Sequence, residues 1–150
     1  MRGLVVGIGN QYRGDDAFGC LVARELRGKL SGNFEVIEHD GEPASLIEWF
    51  SSADIIYLVD AVSSGAAAGT VFRFDLTKQS LPEEFNLYST HAFGVPQAVE
   101  LARALYKLPR MIDFIGVEGE LFDSGTILSP PVEAAKGLVI LMLMDLIKRK

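Results

Sequence analysis

The sequence predicts an α/β fold, a three-layer sandwich in which a mainly parallel five-stranded sheet carries helices on both faces. Three observations lead there. Short runs of β-branched and apolar residues recur along the chain, longer helical patterns alternate with them, and 150 residues at 49% hydrophobic content suit one domain, residues 1–150, with a sizeable core.

Taken in order, the first run is LVVGIG (4–9), followed by a helical pattern over 15–30. There Phe18, Leu21, Val22 and Leu26 share one stripe while Arg24, Glu25 and Arg27 lie elsewhere, the spacing of an amphipathic helix. Cys20 lies near that stripe and reads as a small core residue, not a reactive thiol. FEVIEH (34–39) is the second strand, 43–52 the second helix and DIIYLVD (54–60) the third strand.

The stretch SSGAAAG (63–69) is too short for a parallel crossover, so TVFRFD (70–75) pairs antiparallel or sits at an edge, and Ser63 and Ser64 read as turn residues. Residues 76–92 show no sustained period and are expected to form the longest irregular connection. A helix over 93–107, with a stripe of Val95, Val99 and Leu105, leads to the fifth strand, MIDFIGVE (111–118). The last helix begins near Pro131. Pro130 and Pro131 stand where a missing N–H does no harm, and Lys148, Arg149 and Lys150 meet the carbonyl end of the helix dipole.

Composition removes several function classes. A net charge of −6 argues against nucleic acid, whose binding needs a basic face to displace counterions. One cysteine leaves no internal disulfide and no Cys-rich zinc site, which fits a reducing cytoplasm. The N-terminal apolar stretch is too short and glycine-broken for a signal sequence. The segment GLVILMLMDLI (137–147) falls short of the roughly 20 residues a spanning helix needs, and is expected to be a buried helix, with no membrane insertion.

The stretch GIGNQYRGDD (7–16) carries the chemistry. A dinucleotide-binding turn would continue G-x-G-x-x-G, but Tyr12 stands at the third glycine's place, so no organic cofactor is expected. Asp15 and Asp16 occupy the first helical turn, where they would repel a phosphate. For Asp15 the expected role is to cap that helix. Gly7 and Gly9 would let the chain turn sharply over the carboxyl edge of the sheet.

Asp60 closes the run IIYLVD. If strands one and three are neighbours, at about 4.8 Å, Asp16 and Asp60 can approach one another there. Two carboxylates together call for a cation or a shared proton. His91, ahead of the 93–107 helix, would supply a neutral imidazole, and Asp, Asp and His make a nitrogen and oxygen shell for a divalent transition ion. His39 is the second candidate ligand, although Asp40 beside it suggests a local hydrogen bond.

With these residues in view, the chain resembles the hydrogenase maturation endopeptidases, which trim the C-terminal extension from the large-subunit precursor of [NiFe] hydrogenases after nickel is inserted. The likeness runs nearly end to end through GIGNQYRGDDAFG, YLVDA, THAFGVPQAVELA and GVEGELFDSGTILSPPVEAA. It implies an aspartyl-type endopeptidase in which Asp16, Asp60 and His91 contact a metal. That metal would be the nickel carried by the substrate, held there by another protein's cysteines. The family's first acid is Glu or Asp, so Asp16 is an allowed variant of shorter reach. One departure stands out: where the family tends to have an Asp-Gly-Gly-Thr-like loop, this chain reads Asp40-Gly41-Glu42-Pro43.

Two rival readings use the same residues. A phospho-receiver domain also has acids after strand one and an aspartate ending strand three, but it wants a lysine at the end of strand five, where this chain offers Glu118 and Glu120. A metal chaperone or scaffold for hydrogenase assembly would bind the loaded precursor without shortening it. Asp123-Ser124-Gly125 resembles an aspartic-protease signature, but one copy in an α/β chain reads as a turn.

Overall fold

The structure is a computed structural model that describes residues 1–30, 32–88, 94–123 and 125–150. Five strands, β1 (Gly3–Ile8), β2 (Phe34–His39), β3 (Ile55–Val62), β4 (Val71–Asp75) and β5 (Met111–Glu118), form one sheet in the order β2-β1-β3-β5-β4. All pairings are parallel except that of β4, an edge strand antiparallel to β5. The short 63–69 connection thus produces both outcomes expected of it. β3 runs two residues past Asp60, which pairs with Gly116 of β5.

Side chains alternate across the pleat and so build two cores. Leu4, Val6 and Ile8 of β1, Ile56 and Leu58 of β3 and Ile112 and Phe114 of β5 face one way. They pack there against Leu46, Ile47 and Phe50 of α2 (Pro43–Phe50), Phe85 of α3 (Glu83–Tyr88), and Val95, Ala98 and Val99 of α4 (Val95–Ala104). Val5, Tyr57, Val59, Ile115 and Val117 face the other way. They meet Phe18, Val22 and Leu26 of α1 (Phe18–Leu26) and Val132, Val139 and Leu143 of α5 (Pro130–Lys148). Gly7 lets α1 close onto β1, since a Cβ there would lie 2.1 Å from the Gly19 carbonyl oxygen.

Several expected boundaries shift for local reasons. The pattern at 15–30 resolves into a 3-10 turn over Gly14–Ala17 and the shorter helix α1, whose stripe is as expected except that Leu21 is only partly buried. Within the irregular 76–92 segment lies α3, six residues long and too short to show a period. Leu105 falls just beyond α4 and is exposed, outside the stripe expected of it. α5 is not buried all round. Val139, Ile140, Leu143 and Ile147 face the core while Leu138 and Leu141 face solvent. Among the described residues no helix is long and apolar enough to cross a membrane.

α4 ends on a residue that strains its cap. The Lys107 N–H reaches back to the Ala102 carbonyl at 2.8 Å, the wide closing bond of a Schellman-type end. That closure puts Tyr106 in the left-handed region, φ 57°, with its side chain 97% exposed. A non-glycine residue there costs about 1 kcal/mol and this side chain recovers little of it by burial. Tyr106→Gly is therefore expected to stabilise the protein by up to about 1 kcal/mol. Urea denaturation should show a higher midpoint at an unchanged m-value, and a lower midpoint would contradict the strained-cap assignment.

Candidate active site

The chain leaves β1 for β2 on one side and returns to β3 on the other, so the carboxyl ends of β1 and β3 flank a topological switch point, where open α/β sheets place their ligands. A cleft of about 730 Å³ opens beside it. Its walls come from the β1 turn (Gly9 to Arg13), Asp16 and Cys20, Arg24 of α1, and the β2 end with its loop (Glu38, His39, Asp40).

The turn after β1 is built on Gly9. With φ at +152°, its missing Cβ leaves room for the Asp16 carbonyl, which would otherwise lie 1.9 Å away. That carbonyl accepts the Asn10 N–H at 3.2 Å, folding the 3-10 turn back over the strand end. The two glycines expected to aim this segment thus do different work: Gly9 makes the turn and Gly7 seats the helix.

Asp16 sits in the cleft wall with 0% exposure, and Asp60 on β3 is 4% exposed. An Oδ1 of Asp60 accepts the Ala61 N–H at 2.8 Å. Both carboxylates bear on one buried group. Burial first, then Glu38, Asp60 and Asp16, opposed by Arg24, push the Cys20 thiol up to about 12. Cys20 is buried beneath the cleft, its Sγ 3.5 Å from the Gly9 carbonyl oxygen. His91, the third expected ligand, lies outside the described residues. Among the described residues no three His, Cys, Asp or Glu side chains gather as a metal cluster.

Asp15 does not cap the helix, contrary to expectation, since neither the 3-10 turn nor α1 has a side-chain cap. It turns instead toward the segment between β5 and α5. Its Oδ2 accepts the N–H groups of Glu120 (2.9 Å) and Leu121 (3.0 Å) and the Ser129 hydroxyl (2.8 Å), and its Oδ1 accepts the Ser129 N–H (2.8 Å). These donors lie more than a hundred residues along the chain, so no local pattern announces them.

His39 is committed to structure, not to a ligand. The Gly41 N–H points at Nδ1 (2.8 Å), which must therefore be the bare nitrogen. The ring proton then sits on Nε2 and is donated to the Ser45 hydroxyl at 3.0 Å. Asp40, 3.6 Å from Nδ1, faces a lone pair and forms no ion pair. Ser45, His39 and Asp40 have the composition of a hydrolase triad, but in this tautomer His39 has no free base to offer Ser45.

The loop departing from the family pattern is closed on itself. Asp40 accepts the Glu42 N–H, and Glu42 caps α2 by accepting from Ala44 and Ser45 while Pro43 fills the first helical position. The end of β2 is held to α1 by Arg24 and Arg27 on Glu38, at 2.9 and 3.0 Å; the hydrogen bond from Arg24 is the first reason the Glu38 carboxyl is held below its ordinary range.

At the end of β5, where a receiver domain would have its lysine, Glu118 is buried and accepts from the Ser64 N–H (2.8 Å) and hydroxyl. The carboxylate fixes the β3–β4 loop and offers nothing to a phosphoryl group. Asp123 and Gly125 flank the expected turn, whose Ser124 lies outside the described residues. Gly125 forms a bridge with Arg13, which sequence spacing did not indicate.

The fold defines an α/β protein with a cleft at the carboxyl edge of its sheet, a buried aspartate in the cleft wall and a second on the neighbouring strand β3. Comparison with known proteins gives the class a family. Residues 20–145 match the family model described as hydrogenase maturation protease. The hydrogenase 2 maturation protease of Escherichia coli (strain K12) is 30% identical over 138 residues, covering 89% of this chain and 83% of that protein. The hydrogenase expression/formation protein HupD of Thiocapsa roseopersicina is 29% identical over 133 residues, and the chain spans 60% of its length and matches over 87% of its own. The solved [NiFe] hydrogenase maturation protease HybD of Thermococcus kodakarensis superposes with a TM-score of 0.74 at 28% identity, over 97% of this chain and 99% of that one. The chain belongs to the hydrogenase maturation protease family. The receiver-domain and non-proteolytic readings are not favoured.

The His39 network makes stability pH-dependent. Burial holds the folded-state His39 pKa below its ordinary 6.5, so the unfolded chain takes up a proton first. The contribution is complete above about pH 6.5 and is lost as the pH falls through the folded-state value. His39→Asn, whose carbonyl can still accept the Gly41 N–H, is expected to lose less stability than the wild type between pH 7 and pH 5. Urea midpoints across that window check it, and parallel curves for the two proteins would contradict the neutral-ring assignment.

Proposed function

We propose that this protein is the endopeptidase that removes the C-terminal extension of a [NiFe] hydrogenase large-subunit precursor once nickel is in place. In this reading residues 1–150 work as a single unit in the cytoplasm, and Asp16, Asp60 and His91 grasp the nickel carried by the substrate. The observation that supports it most is the pair of buried carboxylates, Asp16 and Asp60, borne on neighbouring chain ends at the switch point beside an open cleft.

The ligand set suits an ion that the substrate brings. Two carboxylates and one imidazole are an incomplete shell, enough to hold an ion that already has ligands of its own. A precursor without nickel would bring no cation to the site, and the buried negative charges would repel the electron-rich ligands left behind. Cleavage thereby becomes a checkpoint on metal loading. The serine in the cleft lining does not supply a competing mechanism, because Ser45 is a partner of a neutral His39.

Incubation of nickel-loaded and nickel-free precursor with the protein, read by mass spectrometry, tests this directly. The wild type should shorten only the loaded form. Asp16→Asn, Asp60→Asn and His91→Ala should each slow cleavage by about 100-fold or more, the scale of losing a metal contact. Equal cleavage of both precursors, or variants as fast as the wild type, would refute the metal role. An intact loaded precursor would refute the protease.

A further inference from the structure

We propose that Asp15 is a positioning residue for the cleavage reaction, the tether that aims Asp16 into the cleft. The inference rests on the reading of Asp16 as a residue that contacts the substrate's metal.

Asp15 and Asp16 are consecutive in the 3-10 turn Gly14–Ala17, and both are 0% exposed. Consecutive side chains in such a turn diverge by about 120°, so the direction of one fixes that of the other. Asp15 is fixed from the far side. Four donors from Glu120, Leu121 and Ser129 converge on its two oxygens at 2.8 to 3.0 Å, filling the acceptor positions that water would otherwise take.

The backbone repeats the attachment. The Asp15 N–H donates to the Leu121 carbonyl at 2.6 Å and the Gly14 N–H to the Gly125 carbonyl at 3.0 Å, while the Gly125 N–H returns to the Tyr12 carbonyl at 2.9 Å. Gly119 closes the fit, since a Cβ there would stand 3.0 Å from that of Asp15. On the cleft side the same turn is held by the Asn10 N–H on the Asp16 carbonyl. The turn is thus clamped between the end of β1, through the Asp16 backbone carbonyl, and the segment leading into α5, through the Asp15 carboxylate. None of the three residues that donate to the Asp15 carboxylate lines the cleft, so loosening the tether acts on the cleft through the 3-10 turn that carries Asp16.

Asp15→Asn keeps the size of the side chain but turns an NH2 group toward N–H donors, which loosens the tether. In protein shown to be fully folded at the assay temperature by circular dichroism and its urea midpoint, kcat on nickel-loaded precursor should fall about 10- to 100-fold, the usual result of misplacing a reacting group by about an ångström. KM should stay within about 2-fold, and cooling the assay should not restore the rate. A role confined to stability would give the opposite pattern: normal kcat in the folded fraction and recovery on cooling.

A folded Asp15→Asn protein with wild-type kcat, or with a loss confined to KM, overturns the inference. Asp16→Asn is run beside it. If Asp16→Asn cleaves normally, the reading of Asp16 has failed and this inference with it, whereas an inactive Asp16→Asn beside a normal Asp15→Asn refutes the tether alone. Should Asp15→Asn fail to fold, Ser129→Ala decides. It removes one donor of the four and should lower kcat about 3-fold at unchanged KM, and an unchanged kcat overturns the proposal.

Discussion

Two adjacent aspartates are taken out of water in one turn, and the whole carboxyl edge of the sheet is organised around that burden. A buried carboxylate costs several kcal/mol unless hydrogen bonds or a counter-charge compensate for it. For Asp15 the chain supplies four donors from the segment entering α5. Asp16 is placed in the cleft wall, across the β1–β3 boundary from Asp60. The glycine at position 9, the 3-10 turn and the return of the chain to β3 are all conditions for that placement.

The neighbourhood gains its definition from groups that are occupied. His39, Ser45, Ser64, Glu118 and Cys20 are the side chains a search for hydrolytic chemistry would pick first. Each is spoken for: His39 by Gly41 and Ser45, Glu118 by Ser64, and Cys20 by a thiol pushed too high to ionise near neutral pH. The groups proposed to meet a positively charged substrate group are the buried acids Asp16 and Asp60.

Much of this is legible in the sequence. Apolar runs located all five strands, and the shortness of the 63–69 stretch was enough to expect β4 to pair antiparallel or sit at an edge. The adjacency of β1 and β3, which the sequence could state only as a condition for Asp16 to approach Asp60, is present in the sheet. The short α3 was not legible, because six residues carry less than two turns of periodicity. Nor was the role of Asp15: local sequence offers helix capping, and the true partners are set by tertiary structure alone. His39 lay between these cases, since the partners that disqualify it as a ligand, Gly41 and Ser45, stand only two and six residues away.

The central claim is that side chains of this protein complete the coordination of a nickel ion that the precursor brings with it. Nickel X-ray absorption on loaded precursor, frozen within the first turnover after mixing with excess protein, addresses it most directly. The account predicts that oxygen and nitrogen scatterers join the sulfur ligands of the precursor on mixing, and that Asp16→Asn protein diminishes the change. A nickel shell identical with and without the protein would contradict it.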